Sequence, residues 1–379
     1  MNSTVNRQFI RLLRQALCGE VAAEEVQDWQ GLWKLASRNK LETLLYSAVR
    51  SRTDMPQEVR ERFEAAWRQD LLRDTRQEYE AERIGAAFKA AGVVFAAMKG
   101  LVLKHDYPES YLRYMTDIDF YIQTGDRDKI RQCLEELGSI NTTHDCGDVA
   151  YDLPGGVHAE FHGRLLYRAT GTGVIGYSDW ARVDEEKNCL TEEGYALNLI
   201  GHMAYNLVTG GLGVRYVLDL WVYRHRHAAQ PDWTAVMEQL KKDGLDQVTQ
   251  NLIDLSEYWF GDGPGSELLD ELGAYILEGG LYGLSSRNAL SGAGLNGGKA
   301  GAVWRQVFRS REEFENRYPW LKRYPFLLPV AWGKRAVYTL THNRKMVKQW
   351  SASLKQTSSS QIKEQAARLE RFGFRSCDE

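Results

Sequence analysis

Hydrophobic positions along the chain change their period several times, and each change marks an element. Up to about residue 90 they recur every three or four residues, the spacing of amphipathic helices. Phe9, Ile10, Leu13 and Leu17 form one such face, and "EVRERFEAAWRQDLLRDTRQEYEAERIGAAFKAAG" reads as one long helix ended by Gly92. "VVFAAMKG" is apolar, too short for a helix and stopped by Gly100, which predicts a buried strand. "LVLKHDY" then starts a helix that Pro108 limits. "TDIDFYI" alternates, with Ile118, Phe120 and Ile122 pointing one way and Asp117, Asp119 and Tyr121 the other. "DRDKIRQCLEELG" is helical again, with Asp126 as its cap and Gly138 as its stop. "GGVHAEFHGRL" predicts a further strand, with Val157, Ala159 and Phe161 inward and His158, Glu160 and His162 outward. Helical spacing returns from Thr191 to about residue 278. A Gly-rich connection, an aromatic and basic segment, a polar stretch and the helix "QIKEQAARLERFG" follow.

This order predicts an α+β fold, a small mixed-sheet core flanked by N-terminal and C-terminal helical regions. The expected divisions are an N-terminal helical region at 1–90, the α/β core at 91–190, a helical domain at 191–278 and a C-terminal region at 279–379. Charged residues at 26% and hydrophobic ones at 43% describe an ordinary globular chain. The net charge of −3 argues against nucleic acid as an obligatory partner. No apolar run approaches the roughly 20 residues that span a bilayer. Cys18, Cys133, Cys146, Cys189 and Cys377 form no CxxC pair, as expected of reduced thiols in a cytoplasmic protein. The first residues lack the apolar core and cleavage site of a signal peptide and read as an amphipathic helix.

The two aspartates of "TDIDFYI" are the chemical anomaly, because Asp is disfavoured in strands. Spaced two apart they share a face, where like charges raise a pKa or fray the strand unless a divalent cation binds both. Oxygen ligands of this kind suit Mg²⁺, which keeps several waters and takes phosphate oxygens as further ligands. Glu160 has the same outward parity. If its strand neighbours "TDIDFYI", three carboxylates converge as a metal-assisted phosphoryl-type transfer requires. The alternative is a solvated strand edge with ordinary acids. Lys99 and Gly100 stand at a strand-to-helix junction where backbone amides and an ammonium can hold phosphate. Arg113, four residues before Asp117, supplies a second cationic donor.

"MKGLVLKHDYPESYLRYMTDIDFYI", "VHAEFHGRL" and "GHMAYNLVTGGLGVRYVLDLWVY" together resemble the uncharacterised nucleotidyltransferase family of the polymerase β-like superfamily. The shared pattern is a Lys-Gly after the first strand, a Leu-Arg before an Asp-x-Asp, an acid-x-His strand, and a helical region with a His, then an Arg and an Asp. "RYPWLKRYPFLLPVAWGKR" resembles the family's C-terminal region. Much of the wider superfamily has Gly-Ser or Gly-Gly where this chain has Lys-Gly. The resemblance implies a transferase that binds an NTP with Mg²⁺ and an unidentified acceptor: a peptide, a protein, a sugar or another small molecule. It implies that Asp117 and Asp119 bind metal and that Glu160 is a further ligand or general base. Lys99, Gly100 and Arg113 match the nucleotide-binding positions, and Arg215 would bind phosphate or acceptor. His162, His202 and Asp219 would stand on the acceptor side or behind the ligands. Two other readings remain: glycosyl transfer from a sugar nucleotide, and a non-catalytic nucleotide-binding module.

Other motifs read more plainly. His158 and His162 have the helical spacing of zinc ligands, but they fall on a strand and zinc would require further His or Cys ligands. His105-Asp106 resembles the start of a phosphohydrolase motif without its supporting constellation. Gly279, Gly280 and Gly283 turn the chain and fit no phosphate loop. Tyr318, Trp320, Tyr324, Phe326 and Trp332, interleaved with Lys322, Arg323, Lys334 and Arg335, are expected to pack against the helical region, the alternative being a partner or membrane-surface site.

Overall fold

The computed structural model describes residues 4–20, 25–123, 127–142, 149–170, 173–177, 179–281, 284–295, 297–315, 318 and 320–374. Asp126, Cys146, Gly283 and Cys377 lie outside them. Helices α1 (Thr4–Leu17), α2 (Trp29–Asn39), α3 (Glu42–Val49) and α4 (Gln57–Ala90) come first. Strand β1 (Phe95–Met98), the short α5 (Gly100–Leu103), β2 (Asp117–Ile122) and α6 (Arg127–Glu136) follow. Then come β3 (Ile140–Asn141), β4 (Val149–Asp152), β5 (His158–His162), the paired β6 (Leu166–Thr170) and β7 (Gly173–Gly176), β8 (Val183–Asp184) and β9 (Cys189–Leu190). The chain continues through α7 (Glu192–Thr209), α8 (Val214–Arg226), α9 (Trp233–Lys242), α10 (Asp246–Phe260) and α11 (Glu267–Gly279). It closes with α12 (Ser285–Leu295), α13 (Lys299–Val307), α14 (Arg311–Glu315), α15 (Trp320–Arg323), α16 (Leu328–His342), α17 (Arg344–Gln356) and α18 (Ser359–Arg371).

The expected α+β architecture is observed. Among the described residues seven strands form one mixed sheet in the order β3-β4-β5-β2-β1-β9-β8, with β2 parallel to β5 and antiparallel to β1. One face is apolar, as the alternation requires. Phe95, Ile118, Phe120, Ala159 and Phe161 pack there against Ile84 and Phe88 of α4 and Ile130 and Leu134 of α6. Phe120 stacks on Phe161 at 5.6 Å between centroids, and Phe88 meets Phe95 and Phe161 edge-on. Each buried ring contributes roughly 1.5–3 kcal/mol through removal of apolar surface from water. α4 ends where Gly92 takes φ +65°, a conformation that costs glycine little.

The other face of the sheet turns toward the helices. Ala96, Met98 and Tyr121 join a large core with side chains from α1 to α3 and from α7 to α11, so helices from before and after the sheet share one interior. The Gly-rich connection differs from expectation, since much of it is helical. Ala289 and Ala293 of α12 are buried with Leu354 and Ile362, and a Cβ on Gly294 would lie only 3.3 Å from the Ala366 methyl. Small residues here permit close packing of α12 on α18, and that packing overrides glycine's low helix propensity. The stretch after Arg335, expected as polar, is likewise largely helical, in the second half of α16 and in α17.

Candidate active site

Register decides whether the carboxylates meet. In the parallel pairing of β2 with β5, Asp117 stands opposite His158, Asp119 opposite Glu160 and Tyr121 opposite His162. All six share the face turned away from the phenylalanine layer, because side chains two apart on a strand project the same way. Donor atoms of Asp119, Glu160 and His162 lie within 4.8 Å of one another. Asp117 begins β2 on the same face, half-buried, and accepts a hydrogen bond from the Thr116 hydroxyl at 3.1 Å.

Asp119 is the buried centre of this group. Lys99 Nζ donates to its Oδ1 at 2.6 Å, and His162 Nε2 lies 2.8 Å from the same oxygen. Burial works to raise the Asp119 pKa, but the positive charge of Lys99 and the contact with His162 hold it well below the usual carboxylate range. Glu160 goes the other way: burial raises it, and the neighbouring negative charge of Asp119 adds to the effect. One carboxylate is thus held ionised while its neighbour takes a proton more readily, the division seen in acid–base pairs. Two carboxylates and an imidazole form a donor set that fits a divalent cation.

The strand-to-helix junction supplies the opposite charge. Lys99 takes φ 48° and ψ −123°, an unusual conformation for a side-chain-bearing residue that costs of order 1–3 kcal/mol. The Tyr195 hydroxyl of α7 holds this turn by donating to the Lys99 carbonyl at 2.7 Å. Gly100 follows for a steric reason. A Cβ there would stand 2.0 Å from Arg113 Nη1 and 2.4 Å from the Met115 sulfur.

Arg113 does not meet the carboxylates of the sheet. Its guanidinium makes a two-pronged contact with Asp219 of α8, Nε to Oδ1 at 2.9 Å and Nη2 to Oδ2 at 2.7 Å, while the Tyr107 hydroxyl also donates to Oδ1 at 2.8 Å. Both partners are buried. Burial disfavours the guanidinium's charge, but Asp219 more than offsets it and the Arg113 pKa is raised. Arg215 and Asp219, one turn apart on α8, therefore do not form the surface pair their spacing would allow. Arg215 is buried too, with Nη1 donating to the Tyr114 carbonyl at 2.9 Å and Nε without a hydrogen-bond partner among the described residues. His202 of α7 lies where the charges of Lys99, Asp119, His162 and Arg215 all act on it. Burial, then Lys99, pushes its pKa down to about 3, and Asn206 Nδ2 lies 3.2 Å from Nε2.

The remaining motifs resolve locally. His158 faces Asp152 at 2.7 Å, His105 faces Glu78 at 3.2 Å, and Asp106 faces His227 at 3.0 Å. Tyr107 and Tyr195, which support Arg113–Asp219 and the Lys99 turn, were not singled out from the sequence. Each is an ordinary core aromatic by local pattern, and only the fold brings its hydroxyl to a polar partner. Compared with known families, the chain matches the model of one described as "Uncharacterised nucleotidyltransferase" over residues 25–261. Comparisons with curated proteins and with solved structures each return no match.

Proposed function

Because the chain belongs to the uncharacterised nucleotidyltransferase family, we propose that it moves a nucleotidyl group from a magnesium-bound NTP to an acceptor hydroxyl. The observation that carries this reading is the register that sets Asp119 beside Glu160, with Asp117 on the same face and the Lys99 ammonium 2.6 Å from Asp119. Asp117 and Asp119 would hold the cation, with His162 orienting Asp119 and Glu160 standing beside them as base or further ligand. Bound there, the cation would neutralise charge on the phosphates as it accumulates. The acceptor oxygen attacks the α-phosphorus, the bond to the bridging oxygen breaks, and pyrophosphate leaves. The acceptor's proton passes to Glu160, whose raised pKa suits a base. Lys99 and the amides that open α5 hold phosphate, and the unmet Nε of Arg215 offers a further donor. Arg113 acts here as a positioning residue, locking the Gly100 turn to α8 through Asp219.

Calorimetry with Mg²⁺ and an NTP tests the site without knowledge of the acceptor. Wild type should bind, and Asp119→Asn should bind at least about tenfold more weakly, a loss of 1.4 kcal/mol or more. Equal binding by the two would defeat the proposal. Incubation with α-phosphate-labelled NTP and a pool of peptides and sugars then reads the reaction. Label on the acceptor is expected, whereas label transferred only from the γ-phosphate would identify a kinase. A sugar moved from a sugar nucleotide would identify a glycosyltransferase.

A further inference from the structure

We infer that the C-terminal helices α15 to α17 form a surface that docks on an anionic lipid bilayer. This goes beyond the transfer chemistry and does not depend on it. Between Trp320 and Gln356 the chain carries eight of its 48 Lys and Arg residues and none of its 51 acids, leaving 40 bases against 51 acids elsewhere. The segment is a basic region on a chain that is otherwise acidic.

Its apolar residues point the wrong way for a helix serving only a core. Val330, Gly333, Val337 and Leu340 recur along α16 at spacings of three and four, the period of one helical face, and Phe326 stands in the turn just before the helix. That face is outward: Phe326 is 74% exposed, Val337 64% and Leu340 59%. The buried side is small, with Ala331 and Leu321 packed around Phe314. Trp304 on α13, 65% exposed, extends the apolar surface through its contact with Phe308, which in turn meets Trp332 of α16. Tyr318, Trp320 and Trp332 pack into this small cluster, whereas Tyr324 and Phe326 stay exposed.

Charge selects the occupant. A second copy docked through the same face would set the basic surface of Lys322, Arg323, Lys334, Arg344 and Lys345 against another of the same sign, which is repulsive. An acidic surface is attracted instead. The bases are spread along α15 to α17 on long flexible stems, interleaved with aromatic and aliphatic side chains. That arrangement matches a diffuse anionic plane with an apolar layer beneath it, where lysine and arginine stems bury while their charges remain in water. No helix among the described residues is long and apolar enough to cross a membrane, so the contact is made along the surface. Each basic side chain at such a surface strengthens binding about fivefold.

Vesicle flotation with the full chain tests this. Binding to phosphatidylcholine vesicles containing phosphatidylglycerol should exceed binding to pure phosphatidylcholine by at least about tenfold, and high salt should release the protein. Lys322→Glu and Lys334→Glu should each weaken binding about fivefold or more, and Val337→Ser should weaken it while leaving charge unchanged. Because these side chains are exposed, the variants should keep the wild-type unfolding midpoint, and a variant that does not is replaced by Phe326→Ser. Failure to float with anionic vesicles at low salt would overturn the inference, as would equal binding to neutral ones. A dimer in light scattering that Val337→Ser dissociates, with no lipid binding, would assign the face to a second copy instead.

Discussion

Asp119 and Arg113 are both buried charges, yet they are stabilised in different ways and should respond differently to mutation. Asp119 shares its charge with a lysine and a histidine at the edge of a polar cluster, whereas Arg113 meets Asp219 in a closed, hydrogen-bonded pair. Removing one member of a buried pair leaves the other's desolvation uncompensated, so Asp219→Asn should cost about 3–5 kcal/mol. Tyr107→Phe, which removes one hydrogen bond to the same carboxylate, should cost about 1–3 kcal/mol. Urea midpoints measure both. The double variant Arg113→Met/Asp219→Leu should be less destabilised than Asp219→Asn, since no orphan charge remains. His202 gives a pH prediction. Its pKa falls from 6.5 when unfolded to about 3 when folded, so between these values the unfolded chain binds the extra proton. Stability should therefore be fully present above about pH 6.5 and decline as pH falls toward 3. His202→Gln should flatten that part of a stability-versus-pH curve, and an unchanged slope would show that His202 does not carry it.

The critical element is the β1-turn-α5 junction, because it joins the sheet to the helices that cover its polar face. Gly100 is required there by contact, not by backbone conformation, since the positive φ belongs to Lys99. Gly100→Ala should push Arg113 off Asp219, destabilise the fold by about 1–3 kcal/mol as overpacking does, and weaken NTP binding. Thermal unfolding and calorimetry on the same sample measure the two effects. A variant of normal stability and normal binding would show that the contact relaxes freely. The pairing of β2 with β5 is the other decisive element. A slip of β5 by one residue would turn Glu160 into the phenylalanine layer and away from Asp119, so the stacked Phe120 and Phe161 help set the register of the acids.

Across the whole molecule, the covering of the polar face depends on helices from both ends of the family-matched region and beyond it. α1 to α3 share one interior with α7 to α11, and α1 touches α10 through Arg14 and the Gly261 carbonyl. A chain lacking α1 to α3 would uncover the face of α10 against which α1 packs. It should lose the cooperative unfolding transition of α7 to α11, and with it the alignment of His202 and Arg215; circular dichroism melting measures this. The sequence by itself determined the local periods. It placed β1, β2, α6 and β5, set the shared parity of Asp117, Asp119 and Glu160, and marked Lys99-Gly100 as a junction, because side-chain direction along a strand follows from backbone geometry alone. Tertiary structure decided which polar groups meet. It paired Arg113 with Asp219, brought Tyr195 to the Lys99 turn and His202 into the charge cluster, and made a helix within a glycine-rich segment. Those outcomes depend on contacts between residues up to about a hundred positions apart, where packing and desolvation outweigh any local preference.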